Sequence, residues 1–450
     1  MIRRLGFRGS PTDLDCLAES LAGAGLSAES AAAKSRLFAD AATALGEKPS
    51  SGFFVPGRIE VLGKHTDYAG GRSIVAAAER GFCVVAAPRD DDVIRVVDAV
   101  RPEETLLQVD PDLVPNAGHW SNYPMTVARR LAQNFPAARQ GVEIAFASDL
   151  PRAAGMSSSS VLMIAIALVL IERNGLYSAP QWTANIGSLT DLAGYLATIE
   201  NGQTFGSLAG DRGVGTFGGS EDHTAILTCR AGYLSQYAYA PVRFEREIAV
   251  PPGVVFAIGS SGVVAAKTGA AMEKYNAASR LAAEVAALWR SQSGRNDPHI
   301  AAAIASSATA AGQLEQFVRE SGSPSLVARL AHFLEEDQAI IPAAGDALTC
   351  GDLANFGRLV DRSQWAAEQL LGNQVPETIH LAQAARQHGA LAASAFGAGF
   401  GGSVWALVES SAANDFLSRW SDAYRRRYPH AASHAAFFLT APGPAALQVF

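Results

Sequence analysis

The 450-residue chain is short of charge: Asp, Glu, Lys and Arg make up 18% of it, against about 25% in an average soluble protein. The net charge is −7 and no long basic run occurs. A nucleic acid or an anionic membrane needs a clustered positive face, so neither is expected as a partner. Cysteine is scarce as well. Cys16, Cys83, Cys229 and Cys350 lie far apart, with no pair at zinc-knuckle or redox CxxC spacing, and are expected as free thiols of a reducing compartment. Long apolar runs are missing too. The longest, Val161–Ile171, falls well short of the roughly 20 residues that span a bilayer. The basic N-terminus MIRRLGFRGSPTD lacks the apolar core of a secretory signal. A soluble, cytoplasmic protein is expected.

What is present suits an ordered globular chain. Hydrophobic residues make up 48%, which excludes disorder. The 42 glycines and 21 prolines are close to average usage, and no repeat of 20–50 residues is evident. At roughly 150 residues per domain, the length suggests two or three domains. Residues 12–46 read as helical. Strands are predicted at CVVAA and VIRVVDA, joined by the turn 88–92, and at 142–150, 225–229, 254–259 and 403–409. Helices are predicted at 120–135, 157–173, 263–291, 299–320, 325–338 and 376–388. Strands and helices mix without strict alternation, which favours an α+β class over a doubly wound sheet.

Three short stretches are unusual for a surface. The first is PGRIEVLGKHTDYAGG, residues 56–71. Arg58, Glu60, Lys64, His65, Asp67 and Tyr68 crowd between glycines beside an apolar strand. A solvated glycine turn would explain the spacing, but so many hydrogen-bonding groups at a strand edge point to binding. It is not a P-loop: five residues separate Gly57 from Gly63, and His65 stands where Ser or Thr should follow the lysine. The second is LPRAAGMSSSSVLMIAIALVLIE, residues 150–172, where a small-residue loop empties into four serines and an apolar helix. Helix starts expose unpaired N–H groups that favour phosphate. One serine would suffice as an N-cap; four can also bond phosphate oxygens and a magnesium ion.

The third stretch, AFGAGFGGSVWALVE at 395–409, satisfies G-x-G-x-x-G with Gly397, Gly399 and Gly402. A strand is predicted after these glycines instead of a helix, so a Rossmann reading is disfavoured. A tight turn or a loop whose bare backbone approaches a ligand remains. A softer signal is Glu200-Asn201 followed by GGSEDHTAIL at 218–227. His65, Asp67, Asp222 and His223 could be drawn as a metal site, but they lack metal-helix spacing such as HExxH.

Taken in order, these stretches resemble the GHMP kinase superfamily and, within it, the galactokinases. Gly57-Arg58-Ile59-Glu60-Val61-Leu62-Gly63-Lys64-His65-Thr66-Asp67-Tyr68-Ala69-Gly70-Gly71 is similar to the sugar signature GRxNLIGEHTDYxGG. Pro151 to Ser160 is similar to the phosphate loop PxxxGLSSSA, with Met156 for leucine and Ser160 for alanine. Gly397, Gly399, Gly401 and Gly402 lie in the third, glycine-rich motif. Weaker echoes are RLFADAATALG, Glu200-Asn201, Tyr275-Asn276 and Gly357-Arg358-Leu359.

The resemblance spans about residues 36–410. It implies a two-domain α+β GHMP kinase architecture, with an N-terminal ribosomal protein S5 domain 2-like α/β domain and a C-terminal ferredoxin-like α+β domain. The limits expected are 1–35 for an N-terminal helical extension, 36–245 for the sugar- and ATP-binding domain and 246–450 for the C-terminal domain.

It also implies an ATP-dependent sugar 1-kinase using Mg2+. Asp222 would be the base and Arg58 the charge stabiliser. Lys64, His65, Asp67, Gly219 and Tyr275 would bind the sugar. Gly155, Met156, Ser157, Ser158, Ser159 and Ser160 would hold the ATP phosphates, and Ser159 and Glu200 the metal. The partners expected are a small sugar and ATP, with no nucleic acid and no membrane, and a monomer is expected.

The departures carry weight. The family's glutamate in GEHTDY is Lys64 here, its asparagine in GRxNL is Glu60, and MDQ has become Glu221-Asp222-His223. A lysine only donates, so Lys64 could bind a carboxylate at C6, making the substrate a uronic acid or another non-galactose sugar. Alternatively it turns away or pairs with Glu60. The acids Glu200 and Asp222 stand further apart than in the family, implying an insertion at 206–217 beside the site. A non-catalytic sugar- and ATP-binding sensor on the same fold is the alternative from another class. A mevalonate- or homoserine-type kinase is disfavoured by HTDY.

Overall fold

The computed structural model describes residues 2–101, 103–151, 154–263 and 269–450. Strands β1 (Arg3–Arg4), β2 (Ser51–Leu62), β3 (Arg72–Pro88), β4 (Val93–Asp98), β5 (Glu103–Gln108), β6 (Val142–Ser148), β7 (Tyr233–Ala238) and β8 (Arg243–Ala249) form a first, mixed sheet. Strands β9 (Val254–Ser260), β10 (Ala392–Phe396), β11 (Ser403–Glu409) and β12 (Ala436–Thr440) form a second. The last strand, β13 (Leu447–Gln448), returns to the first sheet, between β1 and β2.

The first sheet runs β1-β13-β2-β3-β6-β4-β5, with β7 on the N-terminal end of β3 and β8 on β7. Strands β3 and β4 are joined by the predicted turn but do not pair. β6 lies between them, antiparallel to β3 and parallel to β4. The second sheet is wholly antiparallel in the order β10-β11-β9-β12. Numbered along this half of the chain, that order is 4-1-3-2 when read from β12, the arrangement of a ferredoxin-like βαββαβ unit.

Both faces of the first sheet are covered. Helices Leu14–Gly23 and Ala28–Leu45 bury Leu17, Leu21 and Phe38 against Phe54, Cys83 and Val85. The one helical stretch expected over 12–46 is therefore two helices, broken at Gly25, whose φ is +116°. The second helix crosses residues 35 and 36 without interruption. On the opposite face lies helix Ser158–Arg173, apolar all round and buried in the main core. Helices Pro376–Gln387 and Ala413–Arg427 pack on the second sheet. Among the described residues no helix is long and apolar enough to cross a membrane.

One predicted strand is wrong in kind. Residues 225–228 end a helix, Glu221–Thr228, that buries Ala225, Ile226 and Leu227, and Cys229 caps it. A short apolar run cannot by itself distinguish a strand from a buried helix. Here two acidic residues in the first turn suit the helix dipole. The hydroxyls of Thr224 and Thr228 donate to the carbonyls four residues earlier, at 2.7 and 2.6 Å. The helix expected over 263–291 is Gly269–Ser293, and residues 264–268 lie outside the described residues. The one over 299–320 is two helices, Ile300–Ala305 and Ala310–Glu320.

Candidate active site

A cavity of about 330 Å³ has, among its walls, five segments that supply much of its polar lining. They are the end of β2, the loop that follows it, the start of helix Ser158–Arg173, the start of helix Glu221–Thr228, and the turn between β10 and β11. The alternation of β2 decides what enters. Ile59 and Val61 face the main core, so Arg58 and Glu60 point the other way and line the cavity. Bare Gly57 lets the strand approach the serine loop: a Cβ there would lie 2.8 Å from a Leu150 methyl and 3.0 Å from the Met156 carbonyl.

Arg58 is the hub, only 4% exposed. Its Nε donates to Asp222 Oδ1 at 2.7 Å and its Nη1 to the Gly155 carbonyl at 2.5 Å. Glu60 Oε2 and Glu221 Oε1 stand 3.7 Å from the guanidinium. Burial disfavours this cation, but Asp222, Glu60 and Glu221 together outweigh that and hold its pKa above the ordinary value. The same burial lifts Glu60 above the usual carboxylate range against the pull of Arg58 and Lys64. It pushes Glu221 well above that range, with Glu60 adding to the shift.

The sugar-signature loop is held from behind. His65 adopts φ +57°, a left-handed conformation rarely taken by a residue with a side chain. Buried Arg329 donates to its carbonyl at 2.5 Å. The imidazole lies 2.8 Å from the Tyr68 hydroxyl through Nδ1 and 3.0 Å from the Ala398 carbonyl through Nε2. A carbonyl can only accept, so Nε2 carries the proton and Nδ1 accepts from Tyr68. Asp67 accepts from the N–H of Tyr68 and of Glu221, at 2.8 and 3.2 Å. Gly219 must lack a side chain, because its Cβ would lie 2.4 Å from Asp67 Oδ2. The Tyr275 ring sits 5.2 Å from that of His65. Its hydroxyl is kept neutral by burial and by nearby Asp67 and Asp222, which push its pKa well up.

Lys64 corrects an expectation. It is fully buried, is not among the residues lining the cavity, and donates through Nζ to Ser363 Oγ at 3.2 Å. Ser363 passes its own hydrogen to Glu336 Oε1 at 2.9 Å, which also accepts the Gly63 N–H at 2.9 Å. The turn at Gly63, φ +116°, sends the next side chain away from the cavity.

The serine run divides by position. Ser157, in a left-handed conformation at the head of the helix, and Ser158 and Ser159 line the cavity with Gly155. Ser157 Oγ is buried and makes no hydrogen bond among the described residues. The other two positions do not face the cavity as expected. The Met156 side chain packs into the main core. Ser160 is buried, donating to Glu200 Oε2 at 2.8 Å with Asp222 Oδ2 at 3.4 Å. Glu200 Oε2 also stands 3.6 Å from His223 Nε2.

In the third motif, Gly397 and Ala398 reach the cavity. Gly399, Gly401 and Gly402 instead allow the turn to close on other backbone. A Cβ on Gly399 would lie 2.3 Å from the Asn373 carbonyl, and one on Gly401 2.7 Å from that of Val263. Ser403 Oγ ties the turn to the serine loop through the Ala154 carbonyl at 2.6 Å.

The expected insertion is accommodated by anchoring. The Val214 N–H donates to the Glu200 carbonyl at 2.8 Å, and Asp211 pairs with Arg129 at 2.9 Å. Asn276, one of the weaker echoes, bonds both the Gly215 carbonyl and the Phe217 N–H at 2.9 Å. Sequence reasoning missed the other half of the cavity, an apolar wall of Phe82, Val100, Trp120, Tyr123, Phe146 and Leu162. Phe82 and Phe146 stack with centroids 5.0 Å apart. They come from separate strands, so no local spacing pointed to them.

Comparison with known proteins identifies the family and the fold. Residues 42–88 match the galactokinase galactose-binding signature, 122–206 the GHMP kinases N terminal domain and 340–426 the GHMP kinases C terminal domain. The chain is 31% identical to the galactokinase of Roseiflexus sp. (strain RS-1) over 377 residues, covering 82% of this chain and 86% of that protein. It is 27% identical to the galactokinase of Enterococcus faecalis, covering 86% and 93%. Among solved structures, Lactococcus lactis galactokinase complexed with galactose superposes with a TM-score of 0.74 at 23% identity, covering 90% of this chain and 97% of that one. Methanococcus jannaschii mevalonate kinase gives 0.55 at 15%, covering 87% and 98%. These structural likenesses carry the two-domain fold, and the sequence identity carries the branch. The chain belongs to the GHMP kinase superfamily, as a galactokinase-like sugar kinase.

Proposed function

We propose that the protein transfers the γ-phosphoryl group of ATP to the anomeric hydroxyl of a neutral monosaccharide, with galactose the first candidate. The observation that carries this reading is the Arg58–Asp222 pair at 2.7 Å, in one cavity with the serine-rich start of a buried helix. Asp222 takes the proton of the attacking hydroxyl, whose oxygen forms the new bond to phosphorus as ADP leaves. Arg58 offsets the negative charge that develops between them. ATP phosphates bind at the helix start, to free N–H groups and to the hydroxyls of Ser157, Ser158 and Ser159. The apolar wall around Trp120 covers the base. His65, Asp67 and Tyr275 hold the sugar at the polar end.

The residues present suit a magnesium ion. The Ser159 hydroxyl and the Glu200 carboxylate are hard oxygen donors beside the phosphate loop. Mg2+ is commonly held by one or two carboxylates plus substrate phosphates. Among the described residues no group of three or more His, Cys, Asp or Glu suits a metal. When bound, the ion supplies charge neutralisation on the phosphates.

A neutral sugar is preferred to a uronate because Lys64 is engaged outside the cavity, while Glu60, Asp67, Glu221 and Asp222 line it. A substrate carboxylate there would meet like charge. A sensor without catalysis is disfavoured because base, cation and serines line one cavity. The test is ATP consumption against hexoses, pentoses and uronic acids, with the new phosphate located. Asp222→Asn is expected to keep ATP and sugar binding by calorimetry while turnover falls about 10³-fold. Near-normal turnover would remove Asp222 from its role.

A further inference from the structure

Glu60, at the polar end of the cavity, has a role that neither the fold nor the ion pairs exhaust. It is 4% exposed, lines the cavity, and follows Arg58 on the same side of β2. Its Oε2 accepts the N–H of Gly397 at 3.1 Å, which fixes the carboxyl plane against the turn between β10 and β11. Its Oε1 is buried and makes no hydrogen bond among the described residues. A buried carboxyl oxygen without a partner is costly unless a ligand supplies one. The guanidinium of Arg58, 3.7 Å from Oε2, does not reach it with a hydrogen bond. Lys64, four residues on, is committed to Ser363.

We propose that Glu60 is a specificity-determining contact, its Oε1 hydrogen-bonding one hydroxyl of the sugar. The inference rests on the sugar-kinase reading and deepens it. A hydroxyl can donate to a carboxylate or accept from a carboxylic acid, so it satisfies Oε1 in either protonation state. A substrate carboxylate offers no donor and adds like charge beside Asp222, the carboxylate paired with Arg58. The ligand class is therefore a neutral polyol, held between Glu60 and the His65–Asp67 loop.

The experiment uses the full chain and the sugar it phosphorylates best, together with the series of monodeoxy analogues of that sugar. The wild type is expected to discriminate against the analogue lacking the contacted hydroxyl by about tenfold or more in kcat/KM. In Glu60→Ala, KM for the parent sugar rises by a similar factor, KM for ATP stays within about twofold, and discrimination at that one position collapses toward unity while it persists elsewhere. Glu60→Gln, which keeps an oxygen at the same place, restores most of the affinity. It also serves as the test variant if the alanine variant does not fold, with discrimination at the same position then reduced but not lost. Unchanged discrimination at every position in the folded variants would overturn the proposal. Wild-type turnover separates the two readings. Absence of phosphorylation on any sugar fails the kinase assignment, and calorimetric binding of the same sugars to wild type and Glu60→Ala then decides Glu60 alone. Equal affinities, or no binding to either, would overturn it.

Discussion

At one end of the cavity a single guanidinium lies 2.7–3.7 Å from three carboxylates. At the other, two phenyl rings stack 5.0 Å apart beside Trp120 and Leu162. The polar end draws most of its groups from two short runs of sequence, 58–67 and 219–223. The apolar end gathers single side chains from β3, β6, the turn after β4, the start of helix Asn122–Asn134 with the residues before it, and helix Ser158–Arg173. Charge chemistry tolerates little displacement and is encoded compactly. A flat apolar wall needs only area, which any strand pointing the right way can provide.

The comparison can be broken most forcefully at Arg58. Arg58→Met is expected to lower kcat about 10²–10³-fold, as expected for removal of a preorganised donor at developing charge. It also leaves three carboxyls, two of them buried, without their cation, at a cost of about 3–5 kcal/mol in unfolding free energy. Turnover assays and denaturant melts read the two effects, and loss of neither would remove Arg58 as the hub. At the apolar end the expected signature is of a different kind. Trp120→Ala should raise KM for ATP about tenfold while kcat and KM for the sugar stay within about twofold. A change confined to the sugar KM would assign the wall to the wrong substrate.

Two smaller effects sharpen the contrast. Lys64→Met removes the donor to Ser363 from the buried network that ends on Glu336. It should cost about 1–3 kcal/mol of stability and leave the preference for neutral sugars over uronates unchanged. A switch in that preference would put Lys64 back in the cavity. The smallest effect is at Glu221, whose pKa is raised by burial and by Glu60. A carboxyl with a raised folded-state pKa stabilises the fold below its ordinary range, and that contribution is lost as pH climbs through the raised value. Glu221→Gln carries no such loss. Its melting temperature relative to wild type should therefore rise as pH climbs above the ordinary carboxylate range of about 4, and a gap that narrows instead would contradict the upward shift at Glu221.

Most of the polar site was legible because its residues are neighbours in sequence. Arg58, His65 and Asp67 sit within one turn-bearing motif, and all three line the cavity. Position along the motif, however, does not say which way a side chain faces. Lys64 and Ser160 both belong to recognisable runs, yet one donates its hydrogen bond to Ser363 and the other to Glu200. The helix Glu221–Thr228 read as a strand because Ala225, Ile226 and Leu227 are apolar on every side, which removes the periodicity that separates the two.

Sequence alone carried the α+β class, the three loops that line the cavity and their order, and the serine-rich helix start. These follow from backbone requirements, such as bare glycines and capping serines, that act over a few residues. Only the tertiary structure decided that β6 slips between β3 and β4, that an apolar wall completes the cavity, and that Glu60 faces it while Lys64 does not. Those outcomes depend on which segments meet across the fold, where burial outweighs local preference and each buried charge must find its partner from another part of the chain.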